Sequence, residues 1–109
     1  MSKFKLPKRL KIGGAWWTVK QLDTHLVTKD EDEYLHGICR PSDKEILISK
    51  NEDTVDIFLH ELIHAICSFM GYEKDDEQKV EAGAHALQMF IADNHEFIKR
   101  LANYLGGGR

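Results

Sequence analysis

The segment "IFLHELIHAICSFMG", residues 57 to 71, decides how the rest of the chain is interpreted. It places His60, Glu61 and His64 in the order H-E-x-x-H within an otherwise apolar stretch. Residues four apart lie on the same face of a helix, so the two imidazoles can be directed at one point. Imidazole nitrogen is a good zinc ligand, and Glu61, about 100° further round the helix, can reach a water that the metal activates. The segment therefore predicts a zinc-binding helix that carries its own general base.

The apolar residues of the segment predict that this helix also contributes to the core. N-cap candidates lie between Asn51 and Thr54, and Gly71 stands where a helix would end. Between them, apolar side chains recur at helical spacing and predict a core-facing stripe: Val55, Leu59, Leu62, Ile66 and Met70. The competing interpretation is a pair of partly buried histidines satisfied by backbone or water. Under that interpretation Glu61 would be a costly unpaired carboxylate on an apolar helix.

A second helix is predicted from a capping-box pattern, in which Asp75 is followed three residues later by Gln78. The helix is expected to run to about Asp93, with an apolar face formed by Val80, Ala84, Leu87 and Ile91. A third, short helix is expected from about His95 to Leu105 and carries Phe97, Ile98, Leu101 and Leu105. The short connection between the first two helices predicts that they pack side by side.

The second helix carries the candidates for a third metal ligand, which a catalytic zinc site requires. Glu77, Glu81 and His85 lie at i, i+4 and i+8 and form one polar stripe. Glu81 is central and is the preferred ligand. His85 is a second candidate, or a residue that orients a ligand. Glu77, close to the helix start, is the third candidate, and it could instead be solvated there.

The first half of the chain predicts strands. "RLKIGGAWWTVKQL" predicts a hairpin around Gly13 and Gly14, with Trp17 and Val19 on one face and Trp16 and Thr18 on the other. "LHGICRPSDKEILIS" predicts a second hairpin, with its turn at residues 40–43. Strands followed by helices predict the α+β class, with a small antiparallel or mixed sheet packed on the helices.

Size and composition fit one domain over residues 1–109, with frayed ends at 1–5 and 106–109. A net charge of -3 does not favour nucleic-acid binding. No apolar run is long enough for a membrane span or a signal peptide, and the two cysteines lack C-x-x-C spacing. The sequence therefore predicts a cytoplasmic protein with no membrane or nucleic-acid partner.

The motif "HELIHAI" and the later "VEAGAHALQMFIADN" resemble the small gluzincin-type metallopeptidases of phages and Gram-positive bacteria, which are related to the ImmA/IrrE-like domains. The upstream "LPKRLKIGGAWWTVKQLD" and "HGICRPSDKEILIS" are similar to the strands that precede the active-site helix of that family. The resemblance extends from about Leu6 to Asn94. Its specific part is the H-E-x-x-H motif with the later Glu-Ala helix.

The resemblance implies a minimal zincin fold, with Zn²⁺ held by His60, His64 and Glu81 and with Glu61 as catalytic base. It implies a peptide or protein substrate, and the host cytoplasm as location if the chain is phage-encoded. Better-studied gluzincins have an acidic residue four positions after the ligand Glu, where this chain has His85.

The expected reaction is hydrolysis of a peptide bond by a water that zinc and Glu61 activate. The candidates for a further donor to the oxyanion are Tyr72, Tyr34, His36 and His85. By analogy with zincins, an extended substrate would add as a strand along residues 35–39 or 45–49.

Two alternatives to a peptidase stay open. The first is a zinc-stabilised regulatory or binding module without turnover, for which Trp16 and the acidic loop from Asp30 to Glu33 would be contact points. The second is a non-peptide amide hydrolase of deformylase type, in which an upstream cysteine, here Cys39, is a ligand. A buried thiol is the preferred interpretation of Cys39.

Overall fold

A computed structural model describes residues 4–22, 26–27, 34–35, 37–49, 54–72 and 76–108. The strands are β1 (Arg9–Ile12), β2 (Ala15–Leu22), β3 (Leu26–Val27), β4 (Tyr34–Leu35), β5 (Gly37–Arg40) and β6 (Glu45–Ser49). The helices are α1 (Thr54–Phe69), α2 (Glu77–Asp93) and α3 (His95–Asn103), followed by a wide C-terminal turn, Tyr104–Gly108. The fold is α+β with strands first and helices after, as the sequence predicts.

Four strands form a mixed sheet in the order β1, β2, β6, β5. β1 and β2 are antiparallel around Gly13 and Gly14, which both have positive φ, and β5 and β6 are antiparallel around residues 41–44. Both predicted hairpins are therefore confirmed. The two hairpins join in the centre of the sheet, where β2 and β6 run parallel. β3 and β4 form a separate two-stranded antiparallel sheet.

The strand order determines which of the two segments proposed for substrate binding lies at an edge of the sheet, where a further strand could add. The prediction that residues 45–49 form an edge is wrong, because β6 has β2 on one side and β5 on the other. In the segment 35–39, residues 37–39 belong to β5, an edge strand of the sheet in the described part of the chain. Leu35 pairs with Leu26 in the small sheet, and His36 lies outside the described residues.

The core lies between the mixed sheet and α1. Ile46 and Ile48 of β6 are fully buried, and Trp17 and Val19 of β2 lie on the same side of the sheet, as predicted. Trp16 is exposed on the opposite side. The other buried members of the core cluster are Leu6, Ile12, Phe58 and Ala65.

The residues of α1 that enter the core differ from the predicted stripe. Phe58, Glu61 and Ala65 are buried, whereas Ile66 and Met70 are 39% and 56% exposed. The half-buried Leu59 and Leu62 pack against the core. The buried face is thus shifted by one residue, about 100° around the helix, from the predicted one. The difference arises because one side of α1 contacts the sheet and another side contacts α2. The spacing of apolar residues does not show which side meets which partner.

α2 begins at Glu77 and ends at Asp93, close to the predicted bounds. Its N-cap is Asp76 and not the predicted Asp75, which lies outside the described residues. The Asp76 carboxylate accepts hydrogen bonds from backbone N–H groups of the first turn, including that of Gln78 at 3.0 Å. Val80 and Ala84 are buried as predicted and Ile91 is half-buried, but Leu87 is exposed.

α3 ends at Asn103, two residues before the predicted end, because the chain changes to the wide turn at Tyr104. None of the helices in the described residues combines the length and the apolar character needed to cross a membrane. Cys39 is half-buried in β5 and packs against the core, and neither it nor Cys67 forms a disulfide. The acidic segment 30–33 lies outside the described residues.

Candidate metal centre

His60 and His64 of α1 converge with Glu77 of α2. The Nε2 atom of His60 lies 3.2 Å from Oε2 of Glu77, and the Nε2 atom of His64 lies 2.5 Å from Oε1 of the same carboxylate. The two imidazole centroids are 5.0 Å apart, as expected for ring side chains one helical turn apart. One ligand atom from each residue lies within 4.8 Å of the others. The H-E-x-x-H prediction that both histidines face one point agrees with this geometry.

The donor set and its spacing fit a divalent transition metal. Two imidazoles with one carboxylate are typical zinc ligands, and zinc bonds of roughly 2.0–2.2 Å place tetrahedral ligand atoms about 3–3.5 Å apart. The 3.2 Å separation of Glu77 Oε2 and His60 Nε2 falls in that range, and the 2.5 Å separation of Glu77 Oε1 and His64 Nε2 is shorter. In the described part of the chain, these three residues are the set of potential ligands that converges in this way.

Glu61 lies between the histidine face of α1 and the sheet. It is only 8% exposed, and the backbone of Gly37 in β5 packs directly on it. A Cβ atom at position 37 would lie 3.0 Å from Cγ of Glu61 and 2.7 Å from Cγ2 of Ile57, so only glycine allows this approach. Burial raises the pKa of Glu61; His60 and His64 oppose the increase and Glu77 adds to it.

A cleft of about 300 Å³ opens beside these residues, between α1, α2 and β5. The three residues of the predicted polar stripe, Glu77, Glu81 and His85, all line it, as do His60 and Glu61. Asp56, Gly37, Ile57 and Ala84 complete the lining. Several carboxylates around one small cleft give it a negative potential, which favours a bound cation.

The structure brings Glu77, rather than the preferred candidate Glu81, into contact with the histidines. Glu81 is exposed and lines the cleft one helical turn further along α2. Glu77 was the third candidate, behind Glu81 and His85, because it lies at the start of the predicted helix. From that position its carboxylate extends to both imidazoles. The prediction that Glu81 is a metal ligand remains a prediction.

His85 forms a polar group with two residues that the sequence analysis did not identify. Its Nε2 atom lies 3.1 Å from Oδ1 of Asp56, and Gln88 Nε2 donates to the same oxygen at 2.7 Å. Asp56 lies one turn before His60 on α1, and Gln88 lies three residues after His85 on α2. Residues three or four apart share a helix face, so each of these residues lies on the cleft side of its helix. This spacing could have identified Asp56 and Gln88 from the sequence.

The other candidate oxyanion donors do not gain support. Tyr72 follows the end of α1, is 61% exposed, and is not among the residues that line the cleft. The side chain of Tyr34 and the whole of His36 lie outside the described part of the structure. Among the predicted donors, His85 is therefore the one that lines the cleft.

No known protein family, curated protein or solved structure matches this chain. Its function must therefore be inferred from the site and from the motifs.

Replacing Glu61 with Gln should stabilise the metal-free protein at neutral pH. Because the folded-state pKa of Glu61 is raised, the folded protein retains the proton over a pH range in which the unfolded chain has lost it. The wild type therefore loses stability as pH rises through that range, whereas E61Q does not. Urea denaturation in the presence of a chelator, at about pH 4 and about pH 7.5, measures the difference.

The stabilisation by E61Q should be absent at the lower pH and present at the higher one. Glu96→Gln, at an exposed position of α3, is the matched control for the loss of one carboxylate, and E61Q is compared with it at both pH values. Equal stabilities of E61Q and wild type at both pH values would contradict the buried position of Glu61.

Proposed function

We propose that this chain is a zinc-dependent peptidase of the gluzincin type. The observation that carries the proposal is the convergence of His60, His64 and Glu77 beside the buried carboxylate of Glu61. Three protein ligands from two helices would leave a fourth zinc position for water or substrate, which is the pattern of catalytic zinc sites. The adjoining cleft would give a substrate access to that position.

We assign the third ligand to Glu77, because its carboxylate contacts both imidazoles. The resemblance to gluzincins implies Glu81 instead, one turn further along the same face of α2. Both residues line the cleft, so the two assignments agree on the helix that supplies the ligand and differ in the residue. Substitutions at the two positions separate them.

A bound zinc ion polarises a carbonyl oxygen and lowers the pKa of water. Glu61 is the general base in this proposal: it takes a proton from the attacking water and then transfers it to the leaving amine. Burial raises the pKa of Glu61 towards neutral pH. A residue that both accepts and donates a proton works best when its pKa is near the pH of the reaction. The close approach of Gly37 fixes the orientation of this carboxylate.

The edge strand β5 supports a peptide as the substrate. Gly37, its first residue, lines the cleft and touches Glu61. A peptide in extended conformation could add along β5, an edge strand of the sheet among the described residues, by backbone hydrogen bonds and would then run past Glu61. The deformylase-type alternative requires a cysteine ligand, and Cys39 is not part of the converging group in the described residues.

His85 is the proposed donor to the carbonyl oxygen of the substrate. Asp56 accepts a hydrogen bond from its Nε2 atom, which orients the ring. An imidazole with a proton on both nitrogens could donate through Nδ1–H to the oxyanion that develops during attack. Gln88 donates to the same Asp56 oxygen and holds the carboxylate in place.

E61Q should retain zinc and lose peptidase turnover. Removing the general base is expected to lower kcat by roughly 10²–10⁴-fold, whereas the zinc affinity should stay within about threefold because the ligands are intact. A mixed library of quenched fluorescent peptides gives the turnover, and competition with a zinc dye gives the affinity. If E61Q retains full biological activity, the protein is instead a zinc-stabilised binding module.

The substitutions E77Q and E81Q identify the third ligand. With Glu77 as ligand, E77Q should weaken zinc binding by roughly 10–100-fold, and E81Q should change it by less than about threefold. Competition with a zinc dye at constant pH measures both proteins. A large loss in E81Q with little effect in E77Q would contradict the assignment and confirm the ligand that the resemblance implies.

His85→Gln should lower kcat by about 100-fold with little change in KM or zinc affinity, because it removes a donor used in the transition state. D56N should act in the same direction by leaving the ring less well oriented. His95→Gln is the matched control, since His95 lies on α3 and contacts Glu96. A loss of zinc affinity in H85Q would make His85 a ligand, contrary to this role.

A further inference from the structure

The helix α3 and the turn that follows it present an apolar stripe to solvent. Five residues at helical spacing form it, and we call them the α3 stripe: Phe97, Ile98, Leu101, Tyr104 and Leu105. Phe97 and Leu101 are 45% and 38% exposed, and Tyr104 and Leu105 are more exposed still. None of the nine residues of α3 is buried.

α3 obtains little support from the rest of the domain. It packs mainly on its neighbours along the chain, α2 and the C-terminal turn. A helix of this length has marginal stability in water without an apolar surface to pack on. These features indicate that α3 is built to pack against another surface.

The size and edges of the stripe match one side of a protein interface. From the exposed fractions, the α3 stripe offers roughly 400 Å² of apolar surface. One partner of a standard interface contributes about 800 Å², of which slightly more than half is apolar. Charged residues of both signs, Glu96 and Arg100, border one side of the stripe, as charged residues border the rim of an interface. The Arg100 guanidinium lies 5.9 Å from the ring centroid of Phe97.

We propose that the α3 stripe is the contact surface of a symmetric homodimer. A single stripe on each copy, related by a two-fold axis, is a self-complementary surface in which each residue is used twice. Two copies together provide the apolar area that a stable dimer needs, with charges of both signs at the rim. The dimer would also give α3 the packing that its own domain does not supply.

Sedimentation velocity of the 109-residue chain over roughly 1–200 µM, with and without added Zn²⁺, tests the proposal. The wild type should sediment as a dimer. F97K and L101K should each weaken the monomer–dimer Kd by at least about 100-fold, because each change occurs twice in the symmetric dimer. Phe4→Lys is the matched control: Phe4 is also an exposed aromatic residue but lies ahead of β1, and its substitution should leave the dimer intact.

Both substituted residues are partly exposed, so the variants should fold, and circular dichroism with thermal melting checks this. A wild type that remains monomeric throughout the concentration range would overturn the proposal. So would a dimer that both F97K and L101K leave unchanged. Binding of a monomeric wild type to vesicles of anionic phospholipid, lost in L101K, would also overturn it by assigning the stripe to a membrane surface.

Discussion

The buried carboxylate of Glu61, held between α1 and the edge strand β5, is the constraint around which this domain is organised. Removing a carboxylate from water is costly unless nearby groups compensate. Here the backbone of Gly37 comes close enough to exclude solvent, while the imidazoles of His60 and His64 favour the ionised form. A divalent cation beside the same carboxylate would add to that compensation. The packing of α1 against β5 and the proposed chemistry of Glu61 therefore both depend on the contact between Glu61 and Gly37.

The position of α2 follows from this arrangement. Its first residue, Glu77, extends a carboxylate to both imidazoles, so the interface between α1 and α2 is polar at the site. Further along the pair, Val80 and Ala84 are buried, and they fix the distance between the helices. A metal bound between α1 and α2 would strengthen an interface in a domain whose core is small. On the proposed function, the zinc ion would therefore contribute to both stability and catalysis.

The sequence alone predicted the features that depend on local spacing. The H-E-x-x-H pattern brings two imidazoles together through helix geometry, and Gly13-Gly14 marks a hairpin through positive φ. The orientation of α1 was missed, because apolar spacing does not distinguish the side that meets the sheet from the side that meets α2. The central position of β6 was missed for a related reason: strand order depends on which hairpin edges join, and these edges are distant in sequence.

The polar contacts of the cleft were predicted only in part. Spacing placed Glu77, Glu81 and His85 on one face, and all three line the cleft. Which carboxylate reaches the histidines depends on side-chain length and on how far α2 is shifted along α1. The contact of His85 with Asp56 likewise requires the two helices to be placed together.

X-ray absorption at the zinc edge of the zinc-loaded protein most directly tests the central claim, that His60, His64 and Glu77 hold a catalytic zinc ion. We expect two imidazole nitrogens at about 2.0–2.1 Å, one carboxylate oxygen and a fourth oxygen from water. Four protein ligands, or a sulfur ligand at about 2.3 Å, would contradict it.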